Sequence, residues 1–208
     1  RFLMPGLAEM HAHVPPQANV SEEQLRDIMF LYVANGVTTI RGMLGAPYQL
    51  ALRDRLARGE LLGPTLHVGA PSLNGNTAPT AEAAATIVRN HARDGYDFLK
   101  LHPGLSRPAF DAMAATAREV GITFAGHVST GVGLARTLEA RQGSIDHLDG
   151  YLEASLPAEL QARIASGTAP VTLGEAIDAA SEAALPALAR RTREAGVWNV
   201  PTAYLWES

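Results

Sequence analysis

The chain of 208 residues contains no cysteine, which excludes disulfide frameworks, thiolate metal sites and cysteine nucleophiles. No apolar run approaches the roughly 20 residues of a membrane span. Neither sign of charge dominates. With 17 basic and 21 acidic residues the net charge is -4, leaving no basic footprint for nucleic acid and no polybasic patch for a membrane surface. A hydrophobic fraction of 47% with 18% charged residues is that of an ordinary globular protein. Any metal here must be held by histidine, carboxylate or something less usual.

What is present is a repeating pattern: a short apolar or β-branched run, a loop, then an amphipathic Ala- and Arg-rich helix stopped by glycine. Strands are expected over Leu3 to Val14, Val37 to Arg41, Thr65 to Ala70, Asp97 to His102, Ile122 to Val128, Ser144 to Leu148 and Val197 to Leu205. Helices are expected near residues 22–34, 48–58, 81–93, 108–120 and 133–140, with more than one in the longer segment 151–196. The first helix has Ser21 and Glu23 at its capped start and Gly36 at its stop. Strict alternation implies parallel strands with helical crossovers. Both an open doubly wound sheet and a (β/α)8 TIM barrel satisfy it. No GxGxxG turn follows an early strand, which weighs against the nucleotide-binding open sheet. If the barrel is right, residues 1–208 form one partial barrel domain, with strands 1 to 7 and no eighth.

The residues able to do chemistry fall at the C-terminal ends of these strands, the catalytic face of such a barrel. His11 and His13, in "LAEMHAHVP", share one face of the first strand because side chains alternate. Lys100 and His102 end the fourth strand, His127 the fifth and His147 the sixth. A single strand histidine is more often a packed core residue than a ligand. His67, in mid-strand, and His91, on an outward helix face, receive that plainer reading. Lys100 needs a reason, because a buried ammonium is costly unless paired or deprotonated. It fits either a Schiff-base lysine or a lysine carbamate, and beside four imidazoles the anionic carbamate makes better electrostatic sense.

The segments "MPGLAEMHAHV", "YDFLKLHPG", "FAGHVS" and "SIDHLDGY" resemble, in order and spacing, the amidohydrolase superfamily of metal-dependent hydrolases. The closer likeness is to its imidazolonepropionase-like, prolidase and Xaa-Arg dipeptidase branch, and it covers essentially the whole chain. The resemblance implies that His11 and His13 bind one metal, that Lys100 is carbamylated and bridges two, and that His127 and His147 bind the second. Two divalent ions are thus the implied cofactors, with zinc the first choice for imidazole and carboxylate-like oxygen. They would share a water and present it as hydroxide to an amide or peptide carbonyl.

In the family the general base is an aspartate ending strand eight. No aspartate follows Asp178, so no catalytic base is assigned in this chain, which reads as a fragment of a larger hydrolase. Substrate contacts are expected from His102, on the face of Lys100, from Tyr151 and the segment after it, and from Arg41 at the end of the second strand. His102 has a second reading, as a residue that orients a ligand. The expected partners are a small-molecule substrate and further copies of the chain, with no nucleic acid and no membrane. The compartment stays open between bacterial cytoplasm and periplasm. An esterase, lactonase or organophosphate hydrolase with the same site, and a non-catalytic metal-binding fragment, are the alternatives.

Overall fold

Local chemistry fixes where the helices start and stop. Ser21 accepts a hydrogen bond from the Gln24 amide at 3.1 Å, and the Gln24 side chain accepts one from the Ser21 amide at 2.9 Å. This capping box opens α1 (Glu22–Ala34), and its partner is Gln24 rather than the expected Glu23. Ser106 likewise caps α4 (Arg107–Val120), which ends on Gly121 in the left-handed conformation. The computed structural model describes residues 3–15, 20–167 and 169–204. No helix among them is long and apolar enough to cross a membrane.

The remaining elements follow the expected alternation: β1 (Leu7–Ala12), β2 (Val37–Gly42), α2 (Tyr48–Ala57), β3 (Thr65–Val68), α3 (Ala81–Asp94), β4 (Phe98–Leu101), β5 (Thr123–Gly126), α5 (Gly133–Glu139) and β6 (Ser144–Asp146). The long segment carries α6 (Tyr151–Ala154), α7 (Ala158–Ser166), α8 (Leu173–Ala179), a 3-10 turn (Glu182–Ala184) and α9 (Leu185–Ala195), before β7 (Trp198–Val200). The strands pair in parallel, in one sheet ordered β1-β2-β3 and one ordered β4-β5-β6-β7. The α/β class expected of barrel strands 1 to 7 is borne out.

Several strands are shorter than the sequence suggests, for identifiable reasons. Pro5-Gly6 delays β1 to Leu7, whose amide donates to Gly36 O at 2.8 Å. His147 and Leu148 take φ of 60° and 59°, which ends β6 at Asp146. Pro201 has no N–H for the ladder and stops β7 after Val200. Leu205, the expected end of that strand, lies outside the described residues.

The chain divides into two compact units. The first comprises Arg1–Ser72 and Asn90–Lys100. Ile40, Leu66 and Val68 of its sheet are buried, as are Met29 of α1 and Leu52 of α2. Burying such side chains is worth about 1.5–3 kcal/mol each. Fully buried Gln49 donates to the carbonyls of Val14, at 3.3 Å, and Leu44, at 3.1 Å. The Tyr48 hydroxyl donates to Pro15 O, so α2 fixes the backbone just beyond β1. Phe98 bridges Gly69 in parallel, and Asp97 accepts from the Val68 amide at 2.6 Å and from Arg53 at 3.1 Å.

The second unit comprises Leu73–Arg89 and Leu101–Ser208. Val128, Leu134, Leu138, Ile145, Leu188 and Val197 form its buried cluster, with Tyr151 packed against it. Gly126 is required at the end of β5: it has φ of 128°, and a Cβ there would stand 2.3 Å from Leu101 O. The next amide, of His127, donates to that same carbonyl at 3.1 Å.

Candidate metal-ligand residues and their surroundings

In the first unit His11 and His13 lie at the C-terminal end of β1, with ring centroids 5.2 Å apart and planes tilted by 39°. Ala12 between them is buried while His11 is half-buried and His13 exposed, the alternation that period-2 side chains require. The His11 amide donates to Glu9 Oε1 at 2.7 Å.

Lys100 belongs to the same unit. β4 is buried at all four positions, and Lys100 is fully buried among them. An amine removed from water in this way is costly as an ammonium unless its surroundings compensate.

In the second unit three imidazoles form a short column. His102 stacks on His127 with centroids 5.0 Å apart and planes at 28°, and His127 lies 4.7 Å from His147. The loops after β4, β5 and β6 supply them, the strand ends from which the sequence places them. Asp149 Oδ2 lies 2.8 Å from His127 Nδ1, and since a carboxylate oxygen accepts, Nδ1 donates. The same oxygen faces the Val128 amide at 3.4 Å. His147 Nδ1 lies 2.7 Å from Thr202 Oγ1.

The other expected contact residues are held by protein groups. Arg41 Nε donates to Met10 O at 2.9 Å, and its guanidinium lies 5.5 Å from the Phe98 ring centroid. Tyr151 packs on the core cluster and its hydroxyl lies 2.7 Å from Thr192 Oγ1. Two plainer readings need correction. His67 is exposed rather than core, because Leu66 and Val68 take the buried face of β3. His91 is half-buried rather than outward, edge-on to Tyr96 at 5.3 Å, and desolvation pushes its pKa down while Asp94 and the Pro71 backbone oppose the shift. A cavity of about 510 Å³ is lined by Leu152, Glu153, Ile164, Val171 and Leu173, with Thr130 from the loop after β5.

In kind, the donors fit divalent metal: neighbouring imidazoles at strand ends suit zinc and its first-row relatives. Among the described residues no group of three or more His, Asp or Glu side chains is placed to hold one ion. The imidazoles occur as tilted or stacked neighbours. Sequence reasoning missed Asp149 and Thr202 as partners of the histidines. Asp149 follows His147 by two residues and was open to notice, whereas Thr202 is 55 residues away and only the parallel β6-β7 pairing brings it near.

Comparison with curated proteins finds no match. The chain's fold matches a bottromycin amidohydrolase, at 25% identity and TM-score 0.65, over 95% of this chain and 41% of that one. It also matches a Xaa-Pro dipeptidase with bound methionine in the active site, at 19% identity and TM-score 0.61, over 95% and 53% of the two chains. A third match is molinate hydrolase, at 14% identity and TM-score 0.62, over 95% and 60%. The last two, at such identities, speak to the fold. The chain thus spans between 41% and 60% of the length of these structures. The profile of the amidohydrolase family matches residues 2–205, and the chain belongs to that family.

Proposed function

We propose that this chain is part of a metal-dependent hydrolase that cleaves an amide or peptide C–N bond of a small substrate. The observation that carries the reading is the placement of paired imidazoles at the ends of parallel strands, His11 with His13 and His127 with His147, in a chain of this family. His11 and His13 would hold one divalent ion, His127 and His147 a second, and Lys100, as a carbamate, would supply the shared oxygen ligand. Bound divalent metal, zinc first, would supply Lewis acidity and a water of lowered pKa.

The chain's own residues orient and exclude water. Burial of Lys100 keeps its amine away from bulk solvent, so that a carbamate formed there is shielded from hydrolysis and needs a compensating cation. His102, stacked on His127, limits the rotation of that ring and offers a hydrogen bond to a substrate carbonyl or carboxylate. The cavity beside α6 to α8 offers apolar volume for a substrate side chain, with Glu153 as its charged lining group. Dipeptides and N-acyl amino acids have the matching parts: one amide, one carboxylate and one variable side chain.

The test is hydrolysis of dipeptide and N-acyl amino acid libraries by the full-length protein that contains this chain, loaded with zinc and bicarbonate. Turnover of an amide that chelation abolishes and zinc restores supports the reading. Turnover confined to esters, lactones or phosphotriesters, or none at all with metal bound, overturns it.

A further inference from the structure

We infer that Thr202 is a positioning residue that holds the His147 imidazole as its Nδ1–H tautomer, leaving Nε2 as the lone-pair nitrogen. The inference deepens the metal-dependent reading above, although the tautomer itself does not depend on it.

The argument is a proton count. A threonine hydroxyl carries one proton and can donate one hydrogen bond. Thr202 Oγ1 directs its donation to Pro201 O at 2.6 Å. Its contact with His147 Nδ1 at 2.7 Å must then be one in which oxygen accepts, so the proton of that bond sits on Nδ1. In a neutral imidazole the other nitrogen is the basic one, the form in which histidine binds a metal.

The backbone is built to make this contact. β6 and β7 pair in parallel through Asp146 and Val200, and the His147 amide donates to Val200 O at 2.9 Å. His147 therefore leaves the ladder one residue after β6, and Thr202 two residues after β7. Pro201, between the strand and Thr202, ends the ladder and supplies the carbonyl that takes the hydroxyl proton. Both contact residues also sit in the left-handed region, with φ of 60° at His147 and 51° at Thr202. That conformation is unfavourable for any side chain and more so for a β-branched one, and it persists only where surrounding interactions enforce it. A loop that served only to lead the backbone away from β7 would have no need of threonine there.

The experiment is imidazole 15N–1H correlation NMR of the metal-free protein at mildly alkaline pH, with zinc affinity measured by chelator competition. Wild-type protein should show His147 protonated at Nδ1. Thr202→Val, close in shape but without an acceptor, should redistribute that proton toward Nε2 and weaken zinc binding about 10- to 100-fold. Thr202→Ser keeps the hydroxyl and should retain both properties. A wild-type spectrum with His147 protonated at Nε2, or a folded Thr202→Val protein with tautomer and zinc affinity unchanged, overturns the proposal. If Thr202→Val does not fold, the wild-type and Thr202→Ser spectra decide it. Zinc that fails to bind a protein showing the Nδ1–H form sinks the metal reading and leaves the positioning role standing. Zinc that binds a protein showing the Nε2–H form does the reverse.

Discussion

Asp149 Oδ2 lies 2.8 Å from His127 Nδ1, so one carboxylate in the turn after β6 anchors the imidazole at the end of β5. The Asp149 amide donates to Asp146 O at 3.1 Å, which fixes the turn that carries the carboxylate. Charge-assisted hydrogen bonds of this kind are stronger than neutral ones, but both side chains keep some solvent contact, at 19% and 27% exposure. Asp149→Ala should therefore cost only about 1 kcal/mol of stability, read as a shift in the urea midpoint. Its larger effect should be on His127, with zinc binding weakened about tenfold or more. An unchanged zinc affinity would show that the stacking of His102 alone holds the ring.

Tyr151 gives a prediction of the opposite kind. Thr192 Oγ1 donates to Leu188 O at 2.9 Å, so the Tyr151 hydroxyl donates to Thr192 and accepts from Asn199 Nδ2 at 3.1 Å. The phenol thus ties α6 to α9 and β7. Tyr151→Phe removes both bonds while keeping the ring on the core cluster, and should destabilise by about 1–2 kcal/mol in urea denaturation. If the residue also contacts substrate, KM rises beyond what the stability loss explains; if it serves the fold alone, KM is unchanged.

These two residues show what was legible in the sequence. The alternation of runs and glycine-stopped helices located each strand among the described residues, because periodicity and caps are local properties. The same-face relation of His11 and His13 was readable from spacing alone. The hydrogen-bond partners of Tyr151 were not, since Thr192 and Asn199 lie 41 and 48 residues away. Thr202 was hidden for the same reason. Strand ends were overestimated where proline or a positive φ cut the ladder, as at Pro201 and His147. His67 and His91 were misplaced because periodicity identifies two faces of an element without saying what covers each one.

His91 predicts a pH dependence. Its pKa in the folded protein is pushed below the usual imidazole value of 6.5, chiefly by desolvation. At higher pH both folded and unfolded chains hold it neutral and nothing is lost. As pH falls through about 6.5 the unfolded chain takes up the proton first, so stability declines until the folded pKa is passed. Urea midpoints between about pH 8 and about pH 5 should fall with acidification, and His91→Phe should flatten part of that slope. The difference between wild type and variant isolates this residue from the other histidines. A slope that His91→Phe leaves unaltered would refute its assignment to His91.

Lys100 offers the sharpest test, because its two roles respond differently to one substitution. It is fully buried in a strand where Phe98, Leu99 and Leu101 are buried too. Lys100→Ala would open a cavity and cost about 2–4 kcal/mol, which confuses loss of a ligand with loss of packing. Lys100→Met preserves the stem and volume and removes only the amine. Were the lysine a structural ammonium compensated by buried partners, its removal would strand those partners and destabilise the fold strongly, by about 3–5 kcal/mol. Were it a carbamate bridging two ions, the metal-free protein would lose little stability, or gain some. The loss would appear instead in the number of ions bound, which should fall in Lys100→Met and, in the wild type, depend on bicarbonate during reconstitution. Elemental analysis and urea denaturation on the same samples separate the two cases. Metal content that is equal in variant and wild type, with or without bicarbonate, removes Lys100 from the ligand set.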